Sequence, residues 1–530
     1  MNQAEIKRRQ AEEIANILTL VTVFIMGNLM ADGGTTYMAA ALVSCFFVGL
    51  AISGSLSDTL GKLLRSRRNK GQYKNIPKMR RTILLFQSAL GLAGTLLLIL
   101  SAGAIAEGIF RIPYSTFILM ALSPVIVLRT VSGVLQGYFQ GEGAELPRAV
   151  AGIGRQILIL VFGCIFCKMF CRYGEKVSAL LMKPEFTPMY GCMGIALAVS
   201  LAEIVIILFL TVLFRISRRG ERAAKQEGMY TESAWDCIKS LCAGRWPMFA
   251  VQLMPALALF SGLMLFCRAA ANGEGNASSY DIYMEKYLVI CGVPVCLISM
   301  LVFPVMGRIF QSFRKEESRF ARTAFQAGVH LTMIHGIFFS VYTAFMGPQI
   351  AGLLGGDAGE SVKKMLQGGS FFILFAALSL YFSRFLQVMG KKYLVLGAGG
   401  IALAVFIVTI IAASKKGIIS LVYGGLTAAL VLCVLLAVLS YRILRVRLDW
   451  LSVLILPAGA GGISGLLSML LGNLMTSGLG NLMTLLICAA VSGAVYWGLL
   501  LVLRDFREAE LDMFPGGRLL SLLGQMMHIY

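Results

Sequence analysis

The sequence predicts an all-α polytopic membrane protein with about fourteen transmembrane helices and both termini on the cytoplasmic side. Three observations predict this class: 58% of the 530 residues are hydrophobic, only 14% are charged, and the mean hydropathy is +0.79. One helix needs about 20 apolar residues to cross the hydrocarbon core, so this length holds more than a dozen spans. The longest polar stretch, from Arg215 to Arg245, is too short to fold as a soluble catalytic domain.

Long apolar runs between polar breaks place the individual helices. Spans are expected at residues 14–30, 35–60, 82–104, 115–137, 149–170, 190–214, 246–267, 286–306, 323–346, 366–389, 393–413, 418–440, 450–471 and 481–503. An even number of spans puts both termini on the same side of the membrane. The segment 504–530 mixes charges with Leu and Met clusters, and it is expected to lie along the inner membrane surface as an interfacial helix.

The distribution of Lys and Arg orients these helices. With the N-terminus inside, 33 of the 47 Lys and Arg residues fall in inner segments and 11 in outer segments. The inner loop at 62–81 is densely basic, whereas the outer loop at 272–283 contains no Lys or Arg. Most of the formal net charge of +20 is therefore assigned to topology and to anionic lipid headgroups, and nucleic-acid binding is not expected.

One internal repeat indicates two related halves. Residues 138–147 read YFQGEGAELP and residues 385–394 read FLQVMGKKYL, with Gln140 and Gln387 lying 247 residues apart at the inner ends of the fourth and tenth spans. In each copy a Gly follows the Gln by three residues. Helices one to six and seven to twelve are then equivalent halves. The predicted division is an N-lobe at 1–215, an inter-lobe linker at 216–245, a C-lobe at 246–440, two appended helices at 450–503 and a tail at 504–530.

Arginines at membrane depth are the main functional candidates. Arg129, Arg155 and Arg384 lie within or close to predicted spans, and Arg268 ends the seventh. An ionisable side chain there is costly, so each one is a functional hypothesis. Because guanidinium binds phosphate oxygens in a bidentate way, these four residues are candidates for binding an anionic head group. For Arg268 and Arg384, which lie near span ends, snorkelling to the interface is the alternative.

Few other titratable groups lie inside the predicted spans. Glu203 is the acidic residue well inside a span, and it is either a coupling site for Na⁺ or H⁺ or a buried partner of one of the arginines. His330 and His335 point about 140° apart around a helix, so they do not form one metal site, and packing or hydrogen bonding is favoured over proton relay.

Prolines, glycines and cysteines within the spans have structural explanations as well as functional ones. Pro255, Pro294 and Pro304 are hinge candidates because each removes a helix hydrogen bond, although helix packing alone explains them equally well. The Gly-rich runs at 397–400 and 459–465 predict close helix packing.

Three of the 12 cysteines share one helical face, and packing is favoured over a metal site there, so no metal or cofactor is expected. These cysteines are Cys164, Cys167 and Cys171.

Several motifs resemble one transporter superfamily over the whole chain. They are GYFQGEGAELPRAV at 137–150, GVPVCLISMLVFPVMGRIF at 292–310, the segment 355–361 and FLQVMGKK at 385–392. With the fourteen spans, they are similar to the multidrug/oligosaccharidyl-lipid/polysaccharide (MOP) exporter superfamily, especially its polysaccharide-biosynthesis branch, which contains lipid II flippases. The resemblance implies a MATE-like, V-shaped pair of six-helix lobes that alternate between inward-open and outward-open forms.

The same resemblance implies the function. It indicates a flippase, not an enzyme, that moves a polyprenyl-diphosphate-linked sugar or polysaccharide precursor across the bacterial cytoplasmic membrane. The expected partners are the polyprenyl-linked glycan and membrane lipids, with envelope-synthesis enzymes as further candidates, and the expected state is a monomer. Coupling to Na⁺, to H⁺ or to the membrane potential stays open. The alternatives are a MATE-type drug or metabolite antiporter, a membrane enzyme acting on polyprenyl phosphates, and a scaffold that does not transport.

Overall fold

The computed structural model is helical almost throughout the residues that it describes, which are 3–30, 33–73, 75–112, 114–221, 232–271, 277–314, 318–354, 356–445, 451–503 and 505. In this part of the chain the α-helices are α1 (Gln3–Leu29), α2 (Gly34–Ser53), α3 (Leu56–Asn69), α4 (Asn75–Gly103), α5 (Ser115–Leu122), α6 (Val125–Gly141), α7 (Leu146–Leu181), α8 (Phe186–Glu221), α9 (Ala234–Ala271), α10 (Ala277–Ile282), α11 (Leu288–Arg314), α12 (Ser318–Phe345), α13 (Gly347–Leu354), α14 (Gly356–Gly369), α15 (Phe372–Val388), α16 (Lys392–Ala412), α17 (Ile419–Leu444), α18 (Leu456–Leu479) and α19 (Asn481–Val502). Short π-helical turns occur at Ala104–Ile109, Tyr283–Tyr287 and Leu451–Ile455.

The helices confirm the prediction of a multi-pass membrane protein. Within the described ranges, 13 helical stretches are long and apolar enough to cross a membrane, and a bent pair makes up to 14. The tenth predicted span, 366–389, is sharply bent. It is made of the end of α14 and all of α15, which meet at an angle of 54°. Two successive glycines, Gly368 and Gly369, end α14 at this bend, where the missing side chains lower the cost of leaving the helix.

Packing divides the chain into two compact units. The N-unit comprises Ile14–Asp281, and the C-unit comprises Met1–Glu13 with Ile282–Tyr530. In the N-unit, α7 packs along α8, α3 packs along α6, and α9 contacts α2, α3 and α4. The predicted lobe limits at 215 and 246 stay a prediction, and the division by packing falls later, after Asp281.

In the part of the N-unit that the structure describes, two hydrophobic clusters follow one another along the helices. The first includes buried residues of α2, α5 and α6 such as Ile126, together with Ile159 and Ala202 of α7 and α8. The second includes buried residues of α3, α6 and α9 such as Val134, together with Ala151 and Ile206 of α7 and α8. Three helices, α6, α7 and α8, therefore contribute residues to both apolar clusters. The residues between the two clusters on these helices lie between apolar surroundings.

The C-unit is organised around α12. This helix packs against α11, α15 and α18, while α16 pairs with α17 and α18 pairs with α19. Buried Phe325 of α12 contacts the rings of Tyr381, Phe385 and Tyr441, with centroids 4.7 to 5.7 Å apart. Aromatic packing of this kind fixes α12, α15 and α17 together.

The internal repeat is structural, because the two copies end their helices in the same way. Gly143 and Gly390 both have positive φ, at 84° and 75°. The amide following each glycine donates to a carbonyl five residues earlier, Ala144 to Phe139 at 3.0 Å and Lys391 to Leu386 at 2.8 Å. This is the Schellman cap, which needs a residue that tolerates the left-handed conformation. The spacing of Gln and Gly in the sequence marked this cap in both halves.

Two predicted segments fall wholly or partly outside the described residues. The interfacial helix at 504–530 lies outside them apart from Asp505. The predicted linker at 216–245 is described at its two ends, where α8 continues to Glu221 and α9 begins at Ala234.

Candidate functional site

Three of the predicted residues come together inside the N-unit. Oε1 of Glu203 on α8 lies 3.1 Å from Nε of Arg129 on α6 and 2.7 Å from Nε of Arg155 on α7. Of the two alternatives for Glu203 that the sequence left open, this geometry shows the arginine partner. We call Arg129, Arg155 and Glu203 the triad.

The triad lies between the two hydrophobic clusters on all three helices. On α8, Ala202 belongs to the first cluster and Ile206 to the second, with Glu203 between them. Arg155 lies between Ala151 and Ile159 on α7 in the same way. The three charges therefore form a polar layer inside apolar helices, and each would be costly there without its partners.

Exposure differs strongly among the three side chains. The Glu203 side chain is 0% exposed, that of Arg155 is 18% exposed, and that of Arg129 is 42% exposed. The second carboxylate oxygen of Glu203, Oε2, is buried and has no hydrogen-bond partner in the described structure. A buried carboxylate thus supports one guanidinium that reaches the accessible surface, which suits binding of an anion.

Arg384 forms a separate cluster in the C-unit. Its guanidinium donates to the Glu13 carboxylate and to Ser299 Oγ, and Ser299 Oγ donates to Glu13 at 2.8 Å. The guanidinium also lies 4.5 Å from the ring centroid of Phe303. Ser299, Phe303 and Arg384 line a small cavity together with Thr332. Because Glu13 is 5% exposed, Arg384 is held by a buried carboxylate, as Arg129 is.

Comparisons with known proteins agree with this architecture. No family model matches the chain. Stage V sporulation protein B of Bacillus subtilis (strain 168) is 20% identical over 515 residues, which cover 95% of this chain and 95% of that protein. A structure of the lipid II flippase MurJ in an inward closed conformation has a TM-score of 0.61 at 13% identity, covering 92% of this chain and 99% of that chain.

A second solved structure has the same fold. An inward-facing multidrug resistance MATE family transporter of the MOP superfamily has a TM-score of 0.61 at 14% identity, covering 84% of this chain and 100% of that chain. The chain is therefore similar to proteins of the MOP exporter superfamily and shares their fold. This confirms the resemblance and the MATE-like and MurJ-like fold expected from the sequence, while the orientation of the termini stays a prediction.

The remaining predicted site residues lie apart from the triad. Arg268 is exposed near the end of α9, as snorkelling predicts. Pro255 lies inside α9, and Pro294 and Pro304 lie inside α11, where the helix continues through both. Their hinge role stays a prediction.

The histidines of α12 have separate surroundings. His330 Nε2 lies 2.9 Å from Asp505 Oδ2, and Ser452 Oγ donates to Asp505 Oδ1 at 2.7 Å. His335 Nδ1 lies 2.9 Å from the carbonyl of Leu331. Sequence reasoning missed Asp505 because it belongs to the polar tail, where a charge carries no signal.

Two of the three clustered cysteines of α7 have their sulfur atoms close together. Cys167 Sγ and Cys171 Sγ lie 3.9 Å apart on α7. In these ranges no group of three or more His, Cys, Asp or Glu side chains is placed to hold a metal ion.

A second polar network, which sequence reasoning missed, involves the first repeat. Gln140 Nε2 donates to Asp58 Oδ1 at 3.2 Å, and Arg148 Nη1 lies 2.6 Å from both Asp58 Oδ1 and Gln140 Oε1. The network joins α3, the end of α6 and the start of α7. Its counterpart in the second repeat is simpler, since Gln387 Nε2 donates to Ser383 Oγ at 3.0 Å. The repeated Gln was the available signal, but its partners lie in other helices.

Proposed function

We propose that this protein is a flippase of the MOP exporter superfamily, which moves a polyprenyl-diphosphate-linked sugar from the inner to the outer face of a bacterial cytoplasmic membrane. The observation that carries the proposal is the triad, in which a buried carboxylate holds an exposed arginine between two apolar clusters. The relatives support the class, because one is a lipid II flippase and another is a stage V sporulation protein.

The chemistry of the head group fits an exposed guanidinium. A lipid diphosphate presents several phosphate oxygens, and guanidinium offers planar paired donors to such oxygens. In the triad Arg129 uses Nε toward Glu203, and in this proposal its terminal nitrogens donate to the phosphate oxygens. The polyprenyl tail stays in lipid, which requires no polar site, while the head group is transferred by alternating access.

The membrane potential supplies a driving force of the right sign. An anionic head group leaving a negative interior moves down the potential, and each charge gains about 2.3 kcal/mol per 100 mV. The transport step forms and breaks no covalent bond, so the proposal needs no catalytic residue. Coupling to Na⁺ or H⁺ remains an additional proposal to be tested with the same vesicles.

The alternative is a MATE-type antiporter of cationic drugs or metabolites, and the solved MATE transporter favours it. The charges of this chain favour the flippase instead. A cation requires an available carboxylate, but Glu203 is paired with two arginines and Glu13 with one. Pairing of both groups with guanidinium lowers their attraction for a cation.

A reconstitution experiment separates these functions. Purified protein is placed in proteoliposomes with a fluorescent polyprenyl-diphosphate sugar, and we measure the fraction that a membrane-impermeant reagent reaches, with and without an imposed potential. Protein-dependent translocation, faster with an inside-negative potential, is expected. Efflux of a fluorescent cation without lipid translocation would replace the proposal with the antiporter. Neither activity from folded protein would favour the scaffold.

A further inference from the structure

Glu203 is placed where it cannot touch a transported molecule. Its side chain is 0% exposed, and both arginine Nε atoms approach the same oxygen, Oε1. Glu203 can therefore act on a ligand only through its charge and through the arginines that it holds, of which Arg129 is 42% exposed. This rules out direct contact between the carboxylate and a sugar hydroxyl.

We propose that Glu203 is a positioning and charge-setting residue for the anion site, and that the site is built to bind and then release a phosphate-type anion. The inference rests on the proposed function. Two guanidinium groups and one carboxylate leave the triad with a single net positive charge. Arg155, the less exposed arginine, is neutralised in place, and Arg129 carries the charge that the anion meets.

The net charge of the triad determines how tightly the site binds an anion and how readily it releases that anion. A site of two uncompensated arginines would hold a diphosphate tightly and give it up slowly, whereas a neutral site would not attract it. Transport requires both steps, because an exporter that binds its head group too tightly is limited by release. The Glu203 charge therefore sets the affinity, and its oxygen fixes the plane of the Arg129 guanidinium.

The same arrangement argues against Glu203 as the group that couples transport to an ion. The carboxylate is fully buried, and guanidinium groups at 3.1 and 2.7 Å already occupy its Oε1, so it is not open to an incoming cation. Any dependence of transport on Na⁺ or H⁺ is then expected to survive loss of the Glu203 charge.

Glu203→Gln removes the charge with little change of shape. The amide oxygen still accepts from Arg129, and the amide nitrogen replaces Oε2, which has no hydrogen-bond partner to lose. The variant raises the net charge of the site from one to two. We expect it to bind farnesyl diphosphate about tenfold more tightly than wild type, and to translocate the labelled lipid with a lower KM and a lower maximal rate.

Arg155→Gln is the opposite change, and the double variant restores the balance. Arg155→Gln alone leaves a neutral site, and about tenfold weaker binding of farnesyl diphosphate is expected. Adding Glu203→Gln to it returns one positive charge, so binding is expected to recover toward wild type. This second comparison tests the charge-setting role even if Glu203→Gln alone fails to fold.

Matched controls exclude effects of overall charge. Glu175 and Arg172 are exposed residues of α7, the helix that carries Arg155. Glu175→Gln and Arg172→Gln make the same changes of charge far from the triad, and neither is expected to alter binding. Farnesol, which lacks the diphosphate, serves as the uncharged ligand.

The outcomes separate this inference from the proposed function. Tighter binding with slower release in Glu203→Gln, and recovery in the double variant, support the inference. If wild type binds farnesyl diphosphate but Glu203→Gln leaves binding unchanged or weakens it, or if the double variant binds less than Arg155→Gln, the inference is wrong and the flippase stands. Loss of Na⁺ or H⁺ dependence in Glu203→Gln also overturns it. If wild type neither binds nor translocates the lipid diphosphate, both fail.

Discussion

Buried charges in this protein are stabilised by their partners, and Glu13 is the clearest case in the C-unit. Its carboxylate is 5% exposed and accepts hydrogen bonds from Arg384 and Ser299. Without Glu13, the partly buried guanidinium loses its anion and keeps only the hydroxyl and the Phe303 ring. Removing one partner of such a pair costs more than removing both.

We therefore expect Glu13→Gln to lower the free energy of unfolding by about 1 to 3 kcal/mol. Thermal unfolding of the purified protein in detergent measures the change. In a double-mutant cycle, Glu13→Gln with Arg384→Gln should cost less than the sum of the two single changes. Additive effects would show that the two side chains do not depend on each other.

At this scale the sequence identifies ionisable residues but not their pairing. Arg129, Arg155 and Glu203 were recognisable because each interrupts an apolar run. Glu13 was not, because it lies in the charged N-terminal segment and is 371 residues from Arg384. A charge in a polar segment gives no signal of burial, so the sequence left Arg384 open between snorkelling and a site.

At the scale of elements, α2 is held at both ends by charges of opposite sign. At its N-terminus the Asp281 carboxylate accepts from the amides of Gly33 and Thr36, at 2.8 and 2.7 Å. At its C-terminus Arg245 donates to the carbonyls of Ala51 and Gly54, at 3.3 and 3.1 Å. An anion at the N-terminus and a cation at the C-terminus both complement the helix dipole.

The two ends of α2 predict a measurable stabilisation. Asp281→Ala removes the acceptor for the amides of Gly33 and Thr36 and is expected to lower the free energy of unfolding by about 1 to 2 kcal/mol. Arg245→Gln should have an effect of the same sign, because it leaves the two carbonyls with weaker donors. Exposed Glu175→Gln is the control, and thermal unfolding is the measurement. Variants as stable as this control would contradict the interpretation.

Glycines of the two Gly-rich runs differ in how closely a neighbouring helix packs against them. A Cβ on Gly465 of α18 would lie 2.5 Å from Val341 Cγ1 and 2.8 Å from Phe345 Cδ2 of α12. A Cβ on Gly400 of α16 would meet no atom within 4 Å. The predicted close packing thus occurs at Gly465, whereas Gly400 lies on an open face. Sequence composition could not distinguish these two, because the difference lies in the neighbouring helix.

The same substitution at these two glycines should have opposite effects. Gly465→Ala is expected to lower the free energy of unfolding by about 1 to 3 kcal/mol through overpacking against α12. Gly400→Ala should raise it by up to about 1 kcal/mol, since alanine is the better helix former. Thermal unfolding of the two variants side by side tests this. Equal effects would refute the assignment of the α12–α18 contact.

At the scale of the whole molecule, hydropathy was enough to predict the membrane class and about fourteen spans, and the repeat marked the same helix cap in both copies. These features follow from physics that acts along the chain, namely the length of an apolar helix and the glycine that a Schellman cap requires. The bend between α14 and α15 was missed because the span was judged by hydropathy alone. The inward orientation of the termini still rests on the distribution of Lys and Arg, and it stays a prediction.

The central claim is that an exposed arginine, held by a buried carboxylate, binds the anionic head group while the protein transfers it across the membrane. The most direct measurement is the translocation rate of a labelled polyprenyl-diphosphate sugar in proteoliposomes, per inserted protein, for wild type, Arg129→Gln and the control Arg172→Gln. We predict that Arg129→Gln slows translocation by about tenfold or more, while Arg172→Gln retains the wild-type rate. Translocation by Arg129→Gln at the wild-type rate would contradict the account.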